Sequence, residues 1–207
     1  PFENEIGLFY VKLPNRSGKI TGIVSKEFMI LKGNGKNTIR ELIHQDKRYL
    51  LQLDALEKEY KEKLNTILPN GETKNLVPYG NHCRGTKFID TSSEITPELE
   101  KTFNSICEEI NGFYYGRMDI MFESFEELVK GNNFQIVEIN GAISEPTHIY
   151  DPKHSLWFGW KELTRHFYYM YIISKNNHKN GAKYLTFPDG IIKFKKHHIH
   201  YSNILKF

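Results

Sequence analysis

Cysteine is scarce in this sequence. Cys83 and Cys107 are the only two among 207 residues, too few for a disulfide framework and wrongly spaced for a zinc site. Long apolar runs are missing too. The most apolar helical stretch, near Leu156 to Ile173, carries Lys161, Glu162, Arg165 and His166, so it cannot span a membrane. No secretory h-region or low-complexity tract is found. These absences point to a globular protein of a reducing cytoplasm that needs no membrane partner. An initiator Met is also lacking: the chain opens at Pro1, inside the strand-like run "EIGLFYVKL". A fragment of a longer protein is therefore expected.

Acidic residues almost vanish after Ser174. Seven Lys stand there against Asp189, a net of +6, which leaves −3 for the rest of a chain whose total is +3. A basic tail could touch nucleic acid or another anionic surface. It could equally be a solvated edge hairpin whose lysines block pairing with other sheets. The expected organisation is a core over residues 1–174 with a basic extension over 175–207 packed on or flanking it.

Along the chain, residues 5–13 and 19–31 alternate as strands around the turn "PNRSG". Thr38 and Glu41 form a capping box for a helix, and a charged helix or helix pair follows with Leu50, Leu53, Leu56, Tyr60 and Leu64 at helical spacing. Thr96-Pro97 opens another helix, with Leu99, Phe103, Ile106, Cys107 and Ile110 as its apolar stripe. The strand "YYGRMDIMF" leads to a short helix capped by Ser124 and Glu127 and ended at Gly131, then to the strand "FQIVEIN". Residues 155–174 read as a last helix and the tail as weak strands. The predicted class is α+β, a mostly antiparallel sheet with helices packed on one face.

Strand side chains alternate between faces. Arg117, Asp119 and Met121 therefore share one face, and simple alternation puts Phe134, Ile136, Glu138 and Asn140 together on the next strand. If the two strands pair through "FEELVKGNN", then Arg117, Asp119, Glu138 and Asn140 converge. Two close carboxylates repel unless a cation compensates. A sparse set of hard oxygen donors suits Mg²⁺, which takes further ligands from water and phosphate, and the guanidinium suits a phosphate or developing anion. A plainer reading stays open: an Arg117–Asp119 surface pair, an exposed Glu138 and an Asn140-Gly141 turn.

"GRMDIMF…FQIVEINGAISEP" resembles the C-terminal core of the ATP-grasp ligases, whose members carry R-x-D on one strand and E-x-N on the next. Upstream, "GNGKNTIRELI", "PNGETKNLVPYGNHCRGTKFID" and "SSEITPEL" are similar, in order and rough spacing, to cyanophycin synthetase-like and D-alanine–D-alanine ligase-like carboxylate–amine ligases. The resemblance covers roughly residues 5–150. It implies an ATP-dependent ligase that forms an amide through an acyl phosphate, with small-molecule carboxylate and amine substrates and, in many relatives, a homodimer. Asp119 and Glu138 would hold Mg²⁺, or Mn²⁺ in its place, with Glu138 bridging two ions and Asn140 completing the second. Arg117 would steady phosphates or an oxyanion, and Asn81 and Arg84 would approach the transferred phosphate. Glu5 falls near the position of a ribose-binding carboxylate. Ser144 and Glu145 lie where relatives contact the acceptor. The sequence departs from the family in its "GNHCRG" loop, where many relatives have two glycines, and in lacking the upstream lobe that clasps the nucleotide.

Other signals are weaker. "GNGKNT" lacks the Gly that a phosphate loop needs five residues before Gly-Lys, and Asn37 replaces its Ser or Thr. His198 and His200, on one face of a strand, would make a sparse metal site. Cys83 and Cys107 are the thiol candidates, Cys107 falling on an apolar stripe. An alternative function is a non-catalytic module that uses the basic tail on nucleic acid or another anionic partner, and no RNA-recognition signature supports the nucleic acid.

Overall fold

The structure, a computed structural model, describes residues 2, 4–50, 52–77 and 86–205. Five strands form one sheet in the order β5-β2-β1-β6-β7. They are β1 (Asn4–Val11), β2 (Lys19–Glu27), β5 (Lys87–Asp90), β6 (Tyr115–Phe122) and β7 (Phe134–Asn140), and every neighbouring pair is antiparallel. A smaller two-stranded sheet joins β3 (Ile30–Lys32) to β4 (Thr73–Asn75). The expected α+β class with a mostly antiparallel sheet is what the chain forms.

One face of the large sheet is its main core. Ile6, Leu8 and Tyr10 of β1 meet Ile20, Ile23, Met118, Ile120 and Phe122 there. Helices α4 (Pro97–Glu109) and α5 (Phe125–Lys130) cover this face with Leu99, Phe103, Cys107 and Leu128. The caps act as the sequence implies: Thr96 accepts from the Leu99 N–H, and Ser124 from the Glu127 N–H. Gly131 then ends α5 at φ 79°, a left-handed conformation that glycine adopts without steric cost.

Residues 29–77 bury a separate cluster. Met29 and Leu31 pack against Ile39 and Ile43 of α1 (Ile39–Gln45), which the Thr38–Glu41 capping box starts. The charged helical stretch divides into α2 (Lys47–Leu50) and α3 (Leu53–Tyr60), followed by a 3₁₀ turn, Lys61–Asn65; Leu56 and Leu64 join the same cluster. The strand expected over 19–31 is thus two strands: β2 stays in the large sheet and β3 leaves it to pair with β4.

Helix α6 runs Leu156–Lys179, continuing through Ser174. Its Tyr169, Met170 and Ile173 pack on Phe9, Val11 and Tyr115, at one end of the sheet's other face. The weak strands expected for the tail are instead helix α7 (Phe187–Ile204), capped by Thr186, whose hydroxyl accepts from the Asp189 N–H. Alternating β-branched and basic residues misled the strand reading; Phe187, Ile191, Phe194 and Tyr201 also recur at helical spacing. None of these four is buried. In a helix His198 and His200 point roughly 200° apart, so the shared face expected of them is lost. Among the described residues, no helix is long and apolar enough to cross a membrane.

Candidate functional site

Strand β6 and the edge strand β7 bring the four expected residues together. Asp119 stands opposite Glu138, and Arg117 opposite Asn140, across the β6–β7 ladder. Simple alternation does not produce this arrangement. Ile120 pairs with Ile136 while Asp119 pairs with Glu138, so Val137 is one extra residue in β7. This β-bulge shifts the side-chain parity within the strand. Phe134 and Ile136 face the main core with Phe122 and Ile120, whereas Glu138 and Asn140 join Asp119 and Arg117 on the opposite face. The single face expected for Phe134, Ile136, Glu138 and Asn140 is therefore corrected to two.

Arg117 grips the Asp119 carboxylate from Nε (3.2 Å to Oδ1) and Nη2 (3.4 Å to Oδ2). In the orientation that satisfies both its ends, the Asn140 amide donates to Glu138 Oε1 at 3.0 Å and accepts from Arg117 Nη2 at 3.3 Å. β1 adds Glu5, next to Met121 in register, and β2 adds Lys26. Lys26 Nζ pairs with Glu5 and lies 3.7 Å from Asp119 Oδ1. Its side chain is only 7% exposed, so its charge is held among carboxylates and not in bulk water.

Lys26 is the site residue that sequence reasoning missed. The signal was its alternation with Val24 at the end of β2, obscured by reading residues 19–31 as one strand. Glu5, Asp119 and Glu138 bring three carboxylates against the two cations Lys26 and Arg117, leaving one negative charge. The donors available to a cation are the Asp119 and Glu138 carboxylates and the Asn140 amide oxygen. They are all oxygen, the hard set that suits Mg²⁺. Among the described residues no group of three or more His, Cys, Asp or Glu is arranged to hold a metal. Such an ion would thus draw most of its shell from water and phosphate, and it would compete with Arg117 for Asp119.

The segment after Asn140 turns at once. The Ser144 hydroxyl donates to the carbonyls of Asn140 (3.0 Å) and Gly141 (2.6 Å), closing the turn, and Glu145 accepts from the Tyr150 hydroxyl. Both residues line a pocket of ≈ 360 Å³ between this segment and α6. Asn81 and Arg84, together with Cys83, lie outside the described residues. Cys107 is buried, and burial pushes its thiol up to about 12, so it is a core side chain and no nucleophile at neutral pH.

The residues that follow anchor this segment. Asp151 Oδ2 accepts from the Asp90 backbone N–H at 2.7 Å, and His154 Nε2 lies 2.7 Å from Asp90 Oδ2. Burial opposes ionisation of Asp90, but hydrogen bonds from Ser92 and His154 prevail and its pKa lies below the usual value. The His148 ring lies against Gly22, where a Cβ would come within 2.2 Å of it. Its Nε2 is 3.5 Å from Glu162, which also pairs with Arg165. Burial raises the Glu162 pKa, yet His148, Arg165 and His166 outweigh it and hold the carboxyl below the ordinary range.

No protein-family model matches the chain, and no curated protein does. Among solved structures, a bifunctional glutathione synthetase from Pasteurella multocida is similar in fold, with a TM-score of 0.51 and 14% sequence identity. The match covers 80% of this chain and 24% of that one, so the chain spans about a quarter of that protein's length. At this identity the likeness is one of architecture, a mostly antiparallel sheet with helices packed on it.

Proposed function

We infer that this chain forms the metal- and phosphate-binding half of an ATP- and Mg²⁺-dependent carboxylate–amine ligase. The observation that carries the reading is the pairing of Asp119 with Glu138 and of Arg117 with Asn140, on the face turned away from the main core. A fold can dispense with two carboxylates, an amide and a guanidinium side by side; a site for Mg²⁺ and phosphate has a use for all four. The likeness to a protein described as a glutathione synthetase supports the same reaction class.

In this reading the γ-phosphoryl of ATP passes to a substrate carboxylate, giving an acyl phosphate and ADP. An amine then attacks the carbonyl carbon, phosphate leaves with the C–O bonding pair, and the amine gives up a proton. Asp119, Glu138 and Asn140 would hold Mg²⁺, which supplies charge neutralisation of the phosphates when bound. Arg117 lies where it can exchange Asp119 for a phosphate or for the oxyanion of the adduct. Lys26 keeps Glu5 and Asp119 in place and offers a second cation to the phosphates. The reaction needs no protein nucleophile, in keeping with the buried, protonated Cys107. Glu5 would meet the nucleotide's ribose, and Ser144 and Glu145 the acceptor.

Calorimetric titration of ATP with and without Mg²⁺ tests the reading, with Glu138→Gln and Asn140→Ala for comparison. Mg²⁺-dependent binding that both substitutions abolish is the expected outcome. ATP binding that ignores Mg²⁺ or survives both changes would remove these residues from the account.

A further inference from the structure

Tyr115 shares a strand face with Arg117 and stands one step from it, roughly 7 Å along β6. There the ≈ 360 Å³ pocket begins, walled largely by Tyr115, Leu163, Phe167 and Met170. Its polar groups are few: Ser144, Glu145 and His166. That size and composition are those of a small-molecule site. It shares Tyr115, Ala142 and Met170 with a second pocket of ≈ 480 Å³, which continues past the end of α6 to Lys183. Room therefore remains for a ligand longer than the first pocket.

His166 is the informative wall. It is 2% exposed. Its Nδ1 lies 3.1 Å from the Tyr115 hydroxyl, while its Nε2 is buried without a hydrogen-bond partner. A buried polar atom left unpaired is destabilising, and a complementary ligand would relieve it. Burial, helped by the Arg165 charge, pushes the imidazole down to about 4, so the ring is neutral at pH 7. Burial also pushes the Tyr115 phenol up to about 12, so the hydroxyl keeps its proton and can donate it to Nδ1. A hydroxyl that donates to Nδ1 leaves the imidazole proton on Nε2. The unpaired atom is then a neutral donor. It suits a carbonyl or amide oxygen, whereas a buried carboxylate would need a cation. At the exposed rim, Glu145 supplies the acidic group that an ammonium needs.

We propose that this pocket binds an α-aminoacyl amide, the chemistry of a peptide N-terminus, with an apolar first side chain. The ammonium meets Glu145, the first carbonyl oxygen accepts from His166 Nε2, and the side chain packs on Leu163, Phe167 and Met170. The proposal rests on the ligase reading and names its amine substrate class: a peptide-like amine in preference to a free amino acid.

The test titrates the whole chain, without nucleotide or Mg²⁺, with L-leucinamide and with L-leucine at neutral pH, following the imidazole nitrogen resonances. Saturable leucinamide binding, at least about tenfold tighter than leucine, with a moving His166 Nε2 signal, is the expected result. Glu145→Gln should weaken leucinamide by about tenfold. If folded by circular dichroism, His166→Phe should erase the preference for the amide; if it does not fold, the comparison on the unaltered chain decides. Equal affinity for the two probes, an unmoved His166 signal or no saturation by leucinamide overturns the proposal. Because nucleotide is absent, a failure here leaves the ATP titration untouched, and a failure of ATP to bind leaves this result standing.

Discussion

Alternate positions of the same strands build the sheet face opposite α4 and α5, yet its two ends treat polar groups in opposite ways. At one end Glu5, Lys26, Arg117, Asp119 and Glu138 carry charge and stabilise it by proximity, with Lys26 between Glu5 and Asp119 and Arg117 on Asp119. At the other, Phe9, Tyr115 and α6 enclose His166, which meets burial by giving up its proton. Glu162 favours the protonated ring there, but burial and Arg165 outweigh it. Where a counter-charge can stand alongside, ionic groups tolerate a half-buried position; where aromatic rings fill the space, neutrality is the cheaper state.

The costliest way to break this contrast is to remove a partner at the charged end. Lys26→Met keeps most of the apolar stem but leaves Glu5 without its cation. About 3–5 kcal/mol of stability should go, seen as a lower urea midpoint. Acid should break the other end. The folded His166 resists protonation until about 4, whereas the unfolded chain takes the proton near 6.5. Its contribution is full above about pH 6.5 and is lost as pH falls towards 4, up to about 3 kcal/mol. Urea melts across that range check the slope, and His166→Phe should flatten it.

Between the two ends, Gly22→Ala places a methyl group against the His148 ring, at a cost of about 1–3 kcal/mol. A lower melting temperature, with altered signals from His148, would show it. The smallest change in stability belongs to Glu138→Gln at an exposed position, within about 0.5 kcal/mol. Its fold should survive while Mg²⁺-dependent ATP binding is lost, which separates a residue kept for ligands from one kept for the fold.

Much of this was legible beforehand because local chemistry and tertiary structure agree. Thr38, Thr96 and Ser124 cap the helices their neighbours imply, Gly131 ends one, and Arg117 and Asp119 share a face as alternation demands. The misreadings fall where agreement fails. β-branched and basic residues in α7 mimic a strand, and its apolar side chains find no core to reveal their helical spacing. Lys26 was hidden because a strand's end in the sequence is not its end in the sheet: β2 stops at Glu27, and the chain turns into β3 three residues later. His148, Asp151 and His154 carry no local signal of their role, since they tie the segment after β7 to β5 and α6 through partners some sixty residues earlier or a helix later, Asp90 and Glu162.

The extra residue at Val137 acts on β7 as a frameshift acts on a gene. Upstream, Phe134 and Ile136 are read in the core's phase; downstream, Glu138 and Asn140 are read in the site's. Substitutions in either segment stay local, so the hydrophobic interior and the ligand surface can drift independently in composition. The bulge is the inherited constraint. Pulled straight with Val137 paired in its turn, the strand would set Val137 opposite Asp119 and direct Glu138 and Asn140 at Phe103 and its neighbours, whereas deleting Val137 would leave Glu138 opposite Asp119.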